Sequence, residues 1–336
     1  MALDYASAVR AGTMAAGRLH RELDTKALIE RQGGNIDVFG AIYSVDLPLL
    51  LRPLQGLLGA YLSDPAHGVL VTTERPMSIQ RFTASHELGH FWMKHQPSLD
   101  DESILRRMPM SPEPGNDFQE TEADAFAIAF MMPKWLILAH SARQNWQVAD
   151  FRKPNIVYQL SLRIGASYEA TCRTLVRYNL ISQSIMTDLL RIQPRSLKVD
   201  LLKDYKPANY RGDVWLLTER DADTRIDGSA NDLFVLRLEE NSGAGYVWDL
   251  DQLIASGFAV VRDEREAIDG EGVGGPVVRR VTAAPDAVQR GRMSIDERRP
   301  WQPVPPLANL TLDFDLTGPE QEGLSRAERR HLLEAA

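Results

Sequence analysis

The sequence predicts a two-domain α+β protein, with a mainly helical first part that carries a small sheet and an all-β antiparallel sandwich after it. Three observations predict this. Through about residue 192, apolar residues recur at three-to-four spacing, the period of a helix with one buried face. From about residue 213 the period falls to two, in short runs separated by Gly, Pro, Asn and Asp. Between them, IQPRSLKVDLLKDYKPANYRGD carries two prolines, mixed charge and few large apolar side chains, the texture of a boundary. The expected organisation is therefore a domain over 1–195, a linker over 196–212, a sandwich over 213–316 and a tail over 317–336 that ends in a short amphipathic helix.

Composition narrows the function classes. The chain has 336 residues, 44% hydrophobic and 25% charged, with a formal net charge of -8. That is the profile of a globular protein long enough for two cores. The excess of acid argues against nucleic acid as the main ligand. Cys172 is the only cysteine, so an internal disulfide and a cysteine-built zinc site are both excluded, and a reducing cytoplasm is the expected compartment. No export signal is expected, because Asp4 stands where a basic region and an apolar run would be needed. The longest greasy stretch, AFAIAFMMPKWLILA, is interrupted by Pro133 and Lys134, which argues against a membrane span.

The helical periods fall at 7–18, 78–94, 118–132, 134–147, 156–163, 168–178 and 182–192, with a β-type run at 69–73. The chemistry sits in the second of these, in RFTASHELGHFWMKH. His86 and His90 are four apart, so both imidazoles project from one face and can reach one ion. Glu87 points to the side of that pair, where a carboxylate can take a proton from an activated water without ligating the metal. With no cysteine cluster, a third donor must be a carboxylate or His from elsewhere, and DFQETEADAFAIAFMMP is the candidate segment. Glu120 and Asp124 share a face there, so that the first can ligate while the second accepts the free N–H of a ligating histidine. Glu122 is the rival to Glu120, about 200° around the helix from it, and periodicity leaves the choice open. His95, His67 and Tyr61 are candidates for a second oxyanion donor.

HELGH followed by ETEADAFAIAFMMP resembles the ImmA/IrrE family of zinc metallopeptidases, over roughly residues 10–185. The resemblance implies a zincin-like peptidase domain with one zinc ion (Zn2+). His86, His90 and Glu120 match the ligands, Glu87 the general base, and Asp124 the Asn/Asp position that follows the motif alanine. It also implies an endopeptidase acting on a protein substrate, since members of that family cut helix-turn-helix transcriptional repressors and so switch on stress-response or mobile-element genes.

The 156–182 segment reads as helix, a turn at Gly165-Ala166-Ser167 and a second helix, a helix-turn-helix-like pair made locally basic by Arg163, Arg173 and Arg177. A DNA-binding regulator is one alternative on this basis. However, the second helix offers few side chains suited to base edges, and the ImmA/IrrE family carries a similar pair as part of its peptidase domain. Cys172 reads as a small core residue.

From residue 213, the runs DVWLLTE, DLFVLRLE, AGYVWDL, FAVVRDE, VVRRVTA, RMSIDER and NLTLDFDL make seven short strands, the pattern of an antiparallel sandwich. Three turn segments stand on its loops: Asn241-Ser242-Gly243-Ala244-Gly245-Tyr246, Gly272-Val273-Gly274-Gly275 and Arg299-Pro300-Trp301. In this order they resemble chagasin, the immunoglobulin-like inhibitor of papain-type cysteine peptidases. The resemblance implies that the three loops line up at one end of the sandwich, with Asn241, Gly245, Tyr246, Gly274, Gly275, Arg299, Pro300 and Trp301 facing a partner. A regulator that inhibits a papain-like cysteine peptidase is therefore the other alternative. The family's Asn-Pro-Thr-Thr-Gly stands here as Asn241-Ser242-Gly243-Ala244-Gly245, without the stiffening proline, so a looser loop is expected.

Overall fold

The computed structural model describes residues 4–63, 65–101, 118–268, 274–302 and 304–334. The first part contains α1 (Tyr5–Glu22), α2 (Thr25–Gln32), α3 (Val38–Ser44), β1 (Leu49–Arg52), β2 (Leu57–Leu62), β3 (Gly68–Thr72), α4 (Met77–Met93), β4 (Ser98–Asp101), α5 (Gln119–Met131), α6 (Lys134–Gln144), α7 (Pro154–Arg163), α8 (Tyr168–Arg177), α9 (Gln183–Leu190) and α10 (Pro194–Leu202). The second contains β5 (Val214–Leu217), β6 (Arg225–Asp227), β7 (Leu233–Glu240), β8 (Val247–Trp248), α11 (Leu250–Ala255), β9 (Phe258–Ala267), β10 (Val277–Pro285), β11 (Arg290–Arg298) and β12 (Ala308–Asp315). β13 (Gly323–Leu324) and α12 (Arg326–Glu334) close the chain.

Asp4 starts α1 by accepting the Ser7 N–H at 2.7 Å, which satisfies one of the helix's orphan donors. The buried face of α1 is a stripe of small residues, Ala8, Gly12, Ala15 and Ala16, and it lies directly on α5. α5 also packs on α4, so most of its surface is covered, and Ala123, Ala125, Phe126, Ala127 and Phe130 are all buried. That explains a helix apolar nearly all round. By length and composition, Gln119–Gln144 could cross a membrane, yet its most apolar window is 67% buried inside the protein. Met132 and Pro133 break it into α5 and α6.

Beside these helices lies a five-stranded sheet of order β13-β1-β3-β2-β4, in which β1 and β3 are parallel and the other pairs antiparallel. Gly59 and Tyr61 of β2, two apart, point to the same side, toward α4.

The second part is a sandwich of two four-stranded sheets, β5-β7-β10-β9 and β6-β12-β11-β8, closed over Trp215, Phe234, Trp248, Phe258, Ile295, Leu312 and Phe314. Its edges differ from the antiparallel expectation. The chain leaves the first sheet after β5, crosses to the second as the short β6 and returns as β7, so β5 runs parallel to β7 and β6 parallel to β12. β6 has only three residues, too few for a period of two to be read.

The joint is also denser than expected. The 196–212 segment, read as a linker, begins inside α10, whose Leu197, Leu201 and Leu202 are buried in the same core as Val214 and Val235. Gln159 of α7 completes the edge of β5, donating to Val214 O and accepting from Leu216 N, both at 2.8 Å. Arg163 and Asp221 form an ion pair at 2.7 Å, both buried. Such a pair, with its hydrogen bonds satisfied, fixes geometry more than it adds stability. The tail is not a free appendage either. β13 adds an antiparallel strand to β1, Glu320 N donates to Gln80 Oε1 at 2.8 Å, and His331 stacks on Tyr43 at 4.4 Å.

A cleft of about 970 Å³ separates the two parts, lined in part by Arg81, Arg225, Asp227, Asp315, Glu320 and Arg326. These charges are mutually matched, with Arg225 on Asp227 at 3.1 Å and Arg326 on Glu320 at 2.7 Å.

Candidate metal centre

α4 and α5 supply the site. His86, Glu87 and His90 are fully buried on α4, and Glu120 and Asp124 come from the first turns of α5, where a helix N-terminus favours carboxylates. Among the described residues, His86, His90 and Glu120 form a group whose ligand atoms all lie within 4.8 Å of one another. The Nε2 atoms of His86 and His90 are 2.9 Å apart. Glu120 brings Oε2 to 3.4 Å from His86 Nε2 and Oε1 to 3.6 Å from His90 Nε2. A tetrahedral ion with arms of about 2.0–2.1 Å separates its ligand atoms by about 3.3–3.4 Å, so these edges fit one small ion.

The donor chemistry fits as well. Asp124 Oδ1 lies 2.9 Å from Nδ1 of His86. At ion-pair distance, though without hydrogen-bond geometry, the carboxylate favours the tautomer with its proton on Nδ1, in which the lone pair is on Nε2, the atom nearer Glu120. A carboxylate and an imidazole lone pair converging in a buried place are both acceptors, and a cation is what such a set binds.

Glu87 is not one of that ligand group. A Cβ added at Gly59 would meet Glu87 Oε1 at 2.7 Å and Thr83 Cγ2 at 2.4 Å, so the carboxyl lies in a slot against β2 that only a glycine leaves open. Nothing in the local pattern of β2 marks Gly59 beforehand, because the close approach is made by another element.

Glu122 is outside the ligand group, and His95 and Tyr61 stand beside His90. Glu122 places Oε2 2.9 Å from His95 Nε2, and His95 Nδ1 is 3.1 Å from His90 Nδ1, so both ring nitrogens of His95 are engaged. Tyr61 stacks on His90 at 6.4 Å, and its hydroxyl lies 2.7 Å from His67 Nδ1. Burial pushes the Tyr61 phenol upward.

The helix-turn-helix-like pair corresponds to α7 and α8, with Ser167 capping α8 by accepting from Ala170 N. Arg163 is buried against Asp221, which takes one of the three basic side chains out of an exposed reading surface, and Arg173, still partly exposed, is paired with Glu169 at 2.7 Å. Cys172 is buried, and burial pushes its thiol up to about 12, so it is an inert core residue.

At the far end of the sandwich the loop residues meet. β7 enters beside the cleft, where Leu233 N donates to Asp213 O, and leaves at Glu240 roughly 25 Å away. There Asn241 N donates to Glu297 Oε1 at 2.6 Å, and a Cβ on Gly243 would lie 1.8 Å from Gly274 O. A Cβ on Gly245 would touch the Trp301 ring at 2.7 Å. Arg299 donates to Ala244 O at 3.1 Å and lies over the Tyr246 ring at 4.5 Å. Where the proline is missing, the 241–245 loop has a short 3-10 turn over Ser242–Ala244 and these contacts. Gly275 is half-buried beside Gly274, Pro300 is exposed and Trp301 is 71% exposed, while Gly272 and Val273 lie outside the described residues.

Comparison with known proteins agrees with this division. Residues 53–176 match the IrrE N-terminal-like domain of the Peptidase_M78 family, and residues 228–316 match the chagasin family of peptidase inhibitors, I42. Among solved structures, the chain is similar to the cysteine protease inhibitor EhICP2 from Entamoeba histolytica, with 24% identity, 32% of this chain and 99% of that chain covered, and a TM-score of 0.28. It is also similar to amebosin, with 23% identity, coverages of 31% and 96%, and a TM-score of 0.26. No curated protein matches the chain.

Proposed function

We propose that the chain is a zinc-dependent endopeptidase that cleaves a protein substrate, with the chagasin-like sandwich as a recognition domain. One observation carries this reading: two imidazoles and a carboxylate converge within a few ångströms in a buried place, with a separate carboxyl, Glu87, on the same helix. The match to an IrrE-like peptidase family supports it. His86, His90 and Glu120 would hold the zinc, which when bound polarises the scissile carbonyl and makes water a nucleophile near neutral pH. Asp124 orients His86. Glu87 takes a proton from the attacking water at its carboxylate and returns it to the leaving amine.

By resemblance, the substrate is a helix-turn-helix repressor of a stress or mobile-element response. Incubating the zinc-loaded chain with such a purified repressor is expected to give discrete fragments, and a chelator should stop their formation. A repressor that stays intact alongside an equally intact unstructured protein contradicts the peptidase assignment.

A second reading is favoured by the convergence of the three loops, with Trp301 exposed at their tip. It is that this end of the sandwich binds a papain-like cysteine peptidase. A chain without Trp301 loses the large aromatic anchor of such an interface, so Trp301→Ala is expected to weaken inhibition by about 30-fold or more, the effect of losing a hot-spot residue worth about 2 kcal/mol. Titrating a papain-like enzyme with the intact chain checks this. An enzyme that stays fully active at micromolar concentrations of the chain rejects it.

A further inference from the structure

We infer that Glu122 and His95 form a relay that holds His90 in its metal-ligating tautomer. The inference rests on the zinc reading above and deepens it, giving a positioning role to two residues outside the ligand group.

The relay is built by the end of α4. Lys94 takes a left-handed conformation, φ 61°, its N–H donates to Phe91 O at 3.1 Å, and the His95 N–H returns to His90 O at 2.9 Å. This pair of bonds is a Schellman turn, and it swings the ring of His95 back across the helix end to meet His90 edge-on, with ring centres 5.0 Å apart. Their Nδ1 atoms then lie 3.1 Å apart. Two neutral imidazole nitrogens at that distance must divide the roles, one donating and one accepting. Glu122 decides which, because its Oε2, 2.9 Å from His95 Nε2, accepts a proton from that nitrogen. With its proton on Nε2, His95 offers a lone pair at Nδ1. His90 must therefore carry its proton on Nδ1 and keep its own lone pair on Nε2, the atom that faces His86 and Glu120. The reverse tautomers would set two acceptors against each other at Glu122 and place a proton where the ion belongs.

The side chains of His95 and Glu122 are only 8% and 15% exposed, so water is a poor substitute for either. The two ligating histidines are thus oriented differently, His86 by Asp124 directly and His90 by Glu122 through a second imidazole. A hydrogen-bonded partner of a metal-ligating histidine is worth about 10–100-fold in metal affinity.

The test uses the full chain and three variants: His95→Phe, which keeps the ring and loses both nitrogens, Glu122→Gln, and the two combined. Zinc Kd is measured by competition with a chromophoric chelator, ligand geometry by the absorption spectrum of the cobalt form, and the thermal midpoint on the metal-free proteins. We expect His95→Phe to weaken zinc binding about 10–100-fold and Glu122→Gln about tenfold. The double variant should be no weaker than His95→Phe alone, because without His95 the carboxylate has no route to His90. Cobalt spectra should change in the variants while the metal-free midpoints stay close to that of the parent. Zinc affinities within about twofold of the parent in both single variants, or a double variant that loses the product of the two single effects, overturn the relay. A parent chain that binds no zinc overturns the zinc reading and the relay with it, whereas tight binding in the parent with unchanged variants overturns the relay alone.

Discussion

Replacing Glu87 with Gln is expected to leave zinc binding unchanged and to lower the rate of peptide hydrolysis by about two to four orders of magnitude, the usual contribution of a positioned acid-base group. Glu87 is buried in the slot between Thr83 and Gly59 and is not part of the His86, His90 and Glu120 group. Gln has the same shape and fits that slot, so the ligands and the fold have no reason to move. An amide cannot take up the proton that a carboxylate takes, so the loss should fall on turnover rather than on substrate affinity. Measuring kcat and KM beside the metal content separates the two. Glu87→Asp keeps the base one methylene short and should fall between the parent and Glu87→Gln. Hydrolysis undiminished in Glu87→Gln contradicts the role given to this residue.

The second large effect is expected far from the chemistry in sequence, at Gly12. A Cβ there would lie 2.1 Å from Glu122 O and 2.9 Å from Phe126 N, both main-chain atoms that no rotamer change can move. Gly12→Ala must therefore push α1 away from α5, and α5 carries Glu120, Glu122 and Asp124. Overpacking of this kind costs about 1–3 kcal/mol and occasionally more, and a clash with backbone belongs at the upper end. The urea midpoint should fall accordingly, and zinc affinity with it, because the acids shift relative to His86 and His90. Gly17→Ala is the control, since its Cβ would meet only Arg21 Nη1 at 3.9 Å. In a helix interior that change should be neutral or stabilising by about 0.5–1 kcal/mol. Equal destabilisation by the two substitutions would mean that the close approach of α1 to α5 is not what positions the acids.

Local pattern carried some parts of the molecule and not others. The spacing of His86 and His90 is enough to put both imidazoles on one side of α4, because a helix turn is a local property. Periodicity could not decide which acid of α5 meets them, because that depends on how α5 packs between α1 and α4. His95 stood out only as a nearby histidine. Its place beside His90 depends on a left-handed lysine, a conformation that the residue type does not announce. The alternation in the second half was legible because its strands bury one face against the facing sheet, as in β11 with Met293, Ile295 and Glu297 inside. The parallel edges, the three-residue β6 and the return of the tail to β1 are properties of topology, and no short window contains them. The expected linker over 196–212 begins instead in α10, where charged residues alternate with Leu197, Leu201 and Leu202, the residues that face the core.

The most direct measurement is the metal content of the purified chain, by elemental analysis, set beside that of His86→Ala, His90→Ala and Glu120→Gln. We expect one zinc per chain in the parent, none retained in either histidine variant and markedly weaker binding in Glu120→Gln. A parent chain free of metal after exposure to micromolar zinc, or zinc retained at full stoichiometry in all three variants, would contradict the account at its root.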